Sequence, residues 1–134
     1  MRVAGLGFRH GATEQSLADA LARAGGEVTA LATPADKAAA PAILALATTL
    51  GLPVVAVPGL DLRAAPTLTH SDRVMAKRGT GSVAEAAALA AAGPGARLVA
   101  ARVVSGDRMA TCATATGEVE GPSMSWAPGP VPPT

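Results

Sequence analysis

The chain has 134 residues, of which 49% are hydrophobic, and its 11 Lys and Arg against 10 Asp and Glu give a formal net charge of +1. This length fits a single domain, while a near-neutral charge with one Phe, one Trp and no Tyr argues against a nucleic-acid partner. Since no run approaches about 18–20 uninterrupted apolar residues and the N-terminus lacks a signal-peptide pattern, we expect a cytoplasmic protein without a membrane partner.

Short apolar or alternating runs between turn residues predict five strands, at 3–8, 28–32, 54–57, 97–104 and 108–116. Helices are predicted between Thr13 and Gly25, as a short turn at 34–39 capped by Thr33, from Pro41 to Gly51, at 71–78, and from Ser82 to about 92. Ser82 and Glu85 have the spacing of a capping box. Residues 58–70 are expected to form an irregular connection with one helical turn after Asp61.

The alternation of strands and helices predicts an α/β fold of three layers, in which helices cover both faces of a mainly parallel sheet. A turn at 105–107 would join the last two strands into a C-terminal antiparallel hairpin. The composition changes after residue 116, because 117–134 contains five prolines. We therefore expect a folded domain at 1–116 and a proline-rich, disordered tail at 117–134.

A glycine-rich segment, Gly5-Leu6-Gly7-Phe8-Arg9-His10-Gly11, lies between the first strand and the first helix. Its spacing is G-x-G-x-x-x-G, and the dinucleotide-binding pattern would need a glycine where His10 stands. Backbone N–H groups of such a turn, together with the helix dipole, are suited to an anion. The candidate ligand-binding residues are Gly7, Phe8, Arg9, His10 and Gly11; a tight turn with a solvated Arg9–His10 pair is the alternative.

A second candidate segment is basic and leads into a glycine-rich helix start. Arg73, Lys77 and Arg78 precede Gly79-Thr80-Gly81-Ser82, and from it we select Lys77, Gly79, Gly81 and Ser82 as candidate ligand-binding residues. Ligands of open α/β sheets usually bind at the carboxyl edge of the strands. If both segments reach that edge, Arg9, His10 and Ser82 line one cleft; a solvated basic helix end explains the second segment equally well.

Catalytic and metal-binding patterns are weak in this sequence. His10 and His70 are the only histidines, too few to predict a metal site, and we expect no metal or cofactor. The single cysteine, Cys112, lies in a run of small residues, which predicts a buried and inert thiol. No serine-nucleophile pattern or close carboxylate pair is present, so His10 is the best acid–base candidate if the protein is an enzyme.

Taken in order, these segments resemble the CobE/CbiG C-terminal family of cobalamin-biosynthesis proteins over residues 2–116. The resemblance is carried by the runs G-x-G-F-R-H-G-A at 5–12, L-G-L-P at 50–53, G-S-V-A-E-A-A-A-L at 81–89 and R-M-A-T-C-A-T-A at 108–115, with Lys37, Ser71 and Val74. Two positions depart from the family pattern: Ala40 stands where an acid is frequent, and Arg102 where a lysine is frequent.

The resemblance implies a role in building the corrin ring, together with other enzymes of the cobalamin pathway. The chain is similar to the short members of the oxygen-dependent route, which implies binding or delivery of a precorrin or hydrogenobyrinate-type intermediate. The carboxylates of that intermediate would pair with Arg9, His10 and Lys77. The alternatives are an enzyme acting on a precorrin, such as a CbiG-like cobalt-precorrin-5A lactone hydrolase, and a nucleotide-binding or structural partner domain.

Overall fold

The computed structural model describes residues 2–68, 71–72, 74–75 and 82–117. The strands are β1 (Arg2–Phe8), β2 (Ala30–Pro34), β3 (Val54–Val57), β4 (Arg97–Val104) and β5 (Ala110–Thr116). The helices whose bounds are described are α1 (Glu14–Arg23), α2 (Pro41–Leu50), α3 (Gly59–Ala64) and α4 (Val83–Ala92), and a 3-10 turn occupies Ala35–Lys37. The predicted helix at 71–78 lies mostly outside the described residues. In the part of the chain so described, none of the helices has the length and apolar character needed to cross a membrane.

The strands form one sheet in the order β3-β2-β1-β5-β4. β1, β2 and β3 are parallel, whereas β5 runs antiparallel to both β1 and β4. One face packs against α1 and α2 through a cluster that includes Leu6, Leu17 and Ile43, and the other packs against α3 and α4. The predicted three-layer α/β fold with a C-terminal antiparallel hairpin is confirmed.

Successive residues of β1 point to opposite layers, as strand geometry requires. Ala4 and Leu6 belong to the core under α1 and α2, whereas Val3 belongs to the core under α3 and α4. Gly5 faces α4 so closely that a Cβ built on it would lie 2.5 Å from the backbone nitrogen of Ala88 and closer still to the carbonyl oxygen of Ala84. The absence of a side chain at Gly5 therefore sets the distance between helix and sheet.

Several predicted boundaries are wrong. β2 begins at Ala30 rather than at 28 and continues through Pro34, because pairing with β1 and β3 extends to those residues. Thr33 is consequently a buried strand residue whose hydroxyl donates to Leu6 O at 2.9 Å, and not a helix cap. α3 begins before Asp61, at Gly59, and β5 begins at Ala110 rather than at 108.

The helix ends follow the predicted capping residues in most places. Thr13 and Ser16 form a capping box at α1, Pro41 is the first residue of α2, and Gly51 ends that helix. Ser82 caps α4 by accepting a hydrogen bond from Glu85 N at 3.3 Å. The predicted box is incomplete, because the Glu85 carboxylate accepts from the backbone N–H groups of Leu68 and Arg102 instead.

Thr114, in the middle of β5, should limit the stability of the domain. Its buried hydroxyl has no hydrogen-bond partner among the described residues, and an unsatisfied buried hydroxyl costs about 1–3 kcal/mol. We expect Thr114→Val to raise the free energy of unfolding by about 1 kcal/mol in urea denaturation. Thr33→Val is the matched control, since it removes a satisfied hydroxyl and should lower the same quantity. Equal losses in both variants would contradict this account.

Candidate ligand-binding cleft

A cleft of about 570 Å³ opens where β1 and β2 end. This volume lies within the roughly 300–1,000 Å³ typical of small-molecule sites. Its walls come from the ends of β1 and β2, the residues after them, the end of β4, the start of β5 and the start of α4. The lining residues are Gly7, Phe8, Arg9, His10, Thr33, Pro34, Lys37, Ser71, Val74, Val83, Arg102, Val104, Arg108, Met109, Ala110 and Thr111.

The charge of this cleft is strongly one-sided. Four of its described lining residues are Arg or Lys, and His10 lies beside them. None of the described lining residues is Asp or Glu. The whole chain is nearly neutral at +1, so the positive charge of the cleft is a local excess that acidic residues elsewhere offset. A cleft lined by one sign of charge focuses the field and attracts a ligand of opposite charge. The arrangement is suited to an anion.

Lys37 reaches the cleft from the 3-10 turn that follows β2. Its ammonium donates a hydrogen bond to Phe8 O at 3.0 Å and lies 5.0 Å from the centroid of the Phe8 ring. The carbonyl oxygen and the ring face both favour a cation at this point. Lys37 is half-buried. It is thus held at the carboxyl end of β1, where it remains able to meet a ligand.

Glu85 joins three elements behind the cleft and is fully buried. One carboxylate oxygen, Oε1, accepts from Leu68 N at 2.7 Å, and Oε2 accepts from Arg102 N at 2.9 Å. Glu85 therefore ties α4 both to the segment that leads to Ser71 and to β4 at Arg102. A single carboxylate in the alanine-rich sequence of α4 was the available signal for this role.

The two segments singled out in the sequence meet in part. Gly7, Phe8, Arg9 and His10 of the first segment line the cleft, and so does Val74 of the second segment. A Cβ built on Gly7 would lie 2.8 Å from Thr111 Oγ1 and 3.4 Å from Val83 Cγ1, so the start of α4 adjoins the end of β1.

Gly11 and Ser82 contribute indirectly. Gly11 has a φ of +94°, a conformation that favours glycine, and it shapes the turn rather than lining the cleft. Ser82 is buried as the cap of α4, and it is its neighbour Val83 that lines the cleft. Lys77, Gly79 and Gly81 lie outside the described residues, as do His70, Arg73, Arg78 and the tail from residue 118 onward.

The helix dipole of α1 plays a smaller part than the sequence suggested. Thr13 Oγ1 accepts from Ser16 N at 3.2 Å, and Glu14 places its own carboxylate in the first turn. Neither Thr13 nor Glu14 lines the cleft. The positive charge of the cleft therefore comes from side chains and not from the amides of α1.

Three cations of the cleft were not selected as site residues from the sequence. Lys37 and Arg102 were noted only in the family comparison, and Arg108 was placed in a strand. Lys37 follows β2 at the carboxyl edge of the sheet, where ligands of such sheets bind, and this was the signal for its role. Arg102 and Arg108 reach the same edge because β5 is antiparallel to both β1 and β4, which places the β4–β5 turn beside the end of β1.

Metal and thiol chemistry find little support among the described residues. No group of three His, Cys, Asp or Glu side chains there could hold a metal ion. Cys112 is fully buried in β5, as predicted, and does not line the cleft. Burial raises the pKa of its thiol to about 12. The thiol is therefore protonated, and unreactive, at neutral pH.

Alkylation of Cys112 provides a direct check. We expect the folded protein to resist iodoacetamide from pH 7 to pH 9, because the thiolate fraction is negligible and the sulfur is not accessible. In urea the same thiol should react fully within the same time, as followed by mass spectrometry. Since Cys112 is the only cysteine, each protein molecule can be alkylated at one thiol. Rapid labelling of the folded protein at pH 7 would contradict the buried position.

Comparison with known proteins agrees with this fold and identifies the family. The family model described as "Cobalamin synthesis G C-terminus" matches residues 2–115. CobE, described as a protein from the cobalamin (vitamin B12) biosynthetic pathway, has a solved structure that is 32% identical, with a TM-score of 0.76, over 90% of this chain and 93% of that one. The cobalamin biosynthesis protein ChiG from Agrobacterium tumefaciens str. C58 is 35% identical, with a TM-score of 0.67, over 89% of this chain and 100% of that one.

A search of the curated proteins gave no match. The family model nevertheless covers nearly the whole of the described domain, and two solved structures exceed 30% identity. This chain therefore belongs to the cobalamin-synthesis CbiG C-terminal family, and its place is in cobalamin biosynthesis.

Proposed function

We propose that the cleft binds a precorrin or hydrogenobyrinate-type corrin intermediate and delivers it to other enzymes of the cobalamin pathway. The observation that carries this proposal is the concentration of four Arg and Lys side chains and His10 in a cleft whose described lining contains no carboxylate. The family is one of cobalamin biosynthesis. Among the small molecules of that pathway, the positive charge of the cleft favours the intermediates that carry many carboxylates.

The chemistry of the ligand matches both kinds of wall. Corrin intermediates carry acetate and propionate groups around the rim of an apolar macrocycle. Arginine binds carboxylates through two parallel N–H donors, and Arg9, Arg102 and Arg108 can each offer such a fork. The apolar part of the lining, which includes Val74, Val83 and Val104, is suited to the ring face.

A second candidate function is favoured by one observation, which is that His10 lines the cleft. An imidazole can accept and donate a proton, so an enzyme acting on a precorrin, such as a CbiG-like cobalt-precorrin-5A lactone hydrolase, is the alternative. Release of acetaldehyde from a lactone-bearing precorrin, lost in His10→Ala, would identify this activity. Binding without turnover favours the carrier.

Visible-absorption titration with hydrogenobyrinic acid tests the proposal. We expect a saturable spectral change with the wild-type protein, a weaker affinity with Arg9→Ala, and weaker binding as salt concentration rises. The matched ligand is the same macrocycle with its carboxylates converted to amides, which should bind much less tightly. Equal affinity for the acid and the amide would show that the cationic cleft does not select the ligand.

A further inference from the structure

The turn between β4 and β5, residues 105–109, brings Arg108 to the cleft in a strained conformation. Arg108 has a φ of 64° and is the single non-glycine residue with positive φ in the described part of the chain. The left-handed region is unfavourable for any residue with a Cβ. Such strain persists only where the surrounding structure holds it, and it is frequent at ligand-binding positions.

Asp107 supplies the hydrogen bonds that hold this turn. Its Oδ1 accepts from Ser105 Oγ at 2.6 Å and from Met109 N at 3.0 Å, and its Oδ2 accepts from Ser16 Oγ at 2.6 Å. The Ser105 hydroxyl first, and then the Ser16 hydroxyl, hold the pKa of Asp107 below its ordinary value. The carboxylate is thus a permanent acceptor at neutral pH.

Two further contacts fix the turn on either side of Arg108. Gly106 N donates to Asp19 Oδ2 at 2.6 Å, which anchors the turn to α1. Met109 O accepts from Arg9 N at 2.9 Å, which joins the turn to the end of β1. The backbones that carry Arg9 and Arg108 are therefore held against each other, and both side chains line the cleft.

We propose that the β4–β5 turn is a preorganised carboxylate clamp. Asp107 is the positioning residue that holds Arg108 in its left-handed conformation, and the Arg108 guanidinium binds a carboxylate of the ligand beside Arg9. Holding the backbone of Arg108 in place before binding reduces the entropy lost on association. The clamp depends on the proposed function only in taking a corrin intermediate as its ligand. Its binding chemistry is independent of that choice, because any small polycarboxylate should bind there.

Citrate alone, a tricarboxylate without a macrocycle, is the probe for this clamp. Two-dimensional ¹H–¹⁵N NMR follows the backbone amides of Arg9 and Arg108 during the titration. We expect saturable shifts at both amides in the wild-type protein. Arg108→Gly should raise the citrate Kd about tenfold, the loss of roughly one charge-assisted contact. The same variant should raise Tm by a few degrees, because glycine relieves the strain.

Asp107→Ala should also weaken citrate binding, but it should cause little further loss when combined with Arg108→Gly, because both changes remove one contact. Asp61→Ala, which removes an equal charge from α3 away from the cleft, should leave the Kd unchanged. Any of three results would overturn the clamp: a lower Tm for Arg108→Gly, an unchanged citrate Kd in that variant, or no shift of the Arg108 amide signal when citrate is added to the wild-type protein. Failure of hydrogenobyrinic acid to bind, with the citrate results intact, would overturn only the proposed function.

Discussion

Replacement of Gly5 by alanine is expected to lower the free energy of unfolding by about 3 kcal/mol or more, at the upper end of overpacking effects. The added Cβ would overlap the backbone of α4 at Ala84 and Ala88. Backbone atoms cannot escape by changing rotamer, so the whole helix would have to move away from the sheet. Urea denaturation followed by circular dichroism measures the loss.

Gly59→Ala is the matched control for this substitution. A Cβ at Gly59 would meet only the end of the flexible Arg63 side chain, Nη1, at 3.3 Å. Gly59 is also the first residue of α3, where alanine is tolerated. The control should unfold within about 0.5 kcal/mol of the wild-type protein, as ordinary surface substitutions do. If both variants unfold at the same urea concentration, α4 does not pack on Gly5 as described.

Removal of two cations from the cleft should cause the largest loss of binding. We expect the double variant Lys37→Met/Arg102→Met to weaken binding of hydrogenobyrinic acid by about 3 kcal/mol, roughly 100-fold, because each charge-assisted contact contributes about 1.5–3 kcal/mol. Methionine retains an apolar stem, so packing beside the cleft should change little. Fluorescence or absorption titration measures Kd, and the slope of log Kd against log salt concentration should also decrease.

The control for that experiment is a double variant that loses two positive charges outside the cleft. Arg97 lies on β4 with Arg102 but at the other end of the strand, and Arg63 is exposed on α3. Neither side chain lines the cleft. Arg63→Met/Arg97→Met should therefore bind hydrogenobyrinic acid with nearly the wild-type affinity. Equal losses in the two double variants would mean that net charge, and not the cleft, determines binding.

The layers and the order of helices and strands along the chain could be predicted because their signals are local. Thr13, Pro41 and Gly51 set helix ends through contacts with near neighbours in sequence. Strands that alternate with helices favour parallel pairing, which the first three strands adopt. Thr33 was misassigned because a threonine before a proline has the pattern of a helix cap, whereas pairing with β3 and a side-chain hydrogen bond to β1 kept it in β2.

The site was less predictable, since it depends on contacts between residues distant in sequence. Asp107 and Ser16 are separated by 91 positions, and the hydrogen bond between them appears only when the hairpin returns to α1. Arg108 had the alternation of a strand residue, and its left-handed conformation depends on that same turn. Glu85 had the spacing of a capping box, but its carboxylate oxygens bind Leu68 and Arg102 instead.

The most direct test of the account is to map hydrogenobyrinic acid onto the folded protein by ¹H–¹⁵N NMR. A second concavity, lined by Asp61, Leu89, Gly93 and neighbouring residues, has a volume of about 390 Å³ and offers a carboxylate but no described Arg or Lys. We predict that the amides of 7–10 and 102–111 shift on titration, while those of 89–96 do not. Shifts confined to 89–96, or none at all, would contradict a cationic corrin-binding cleft.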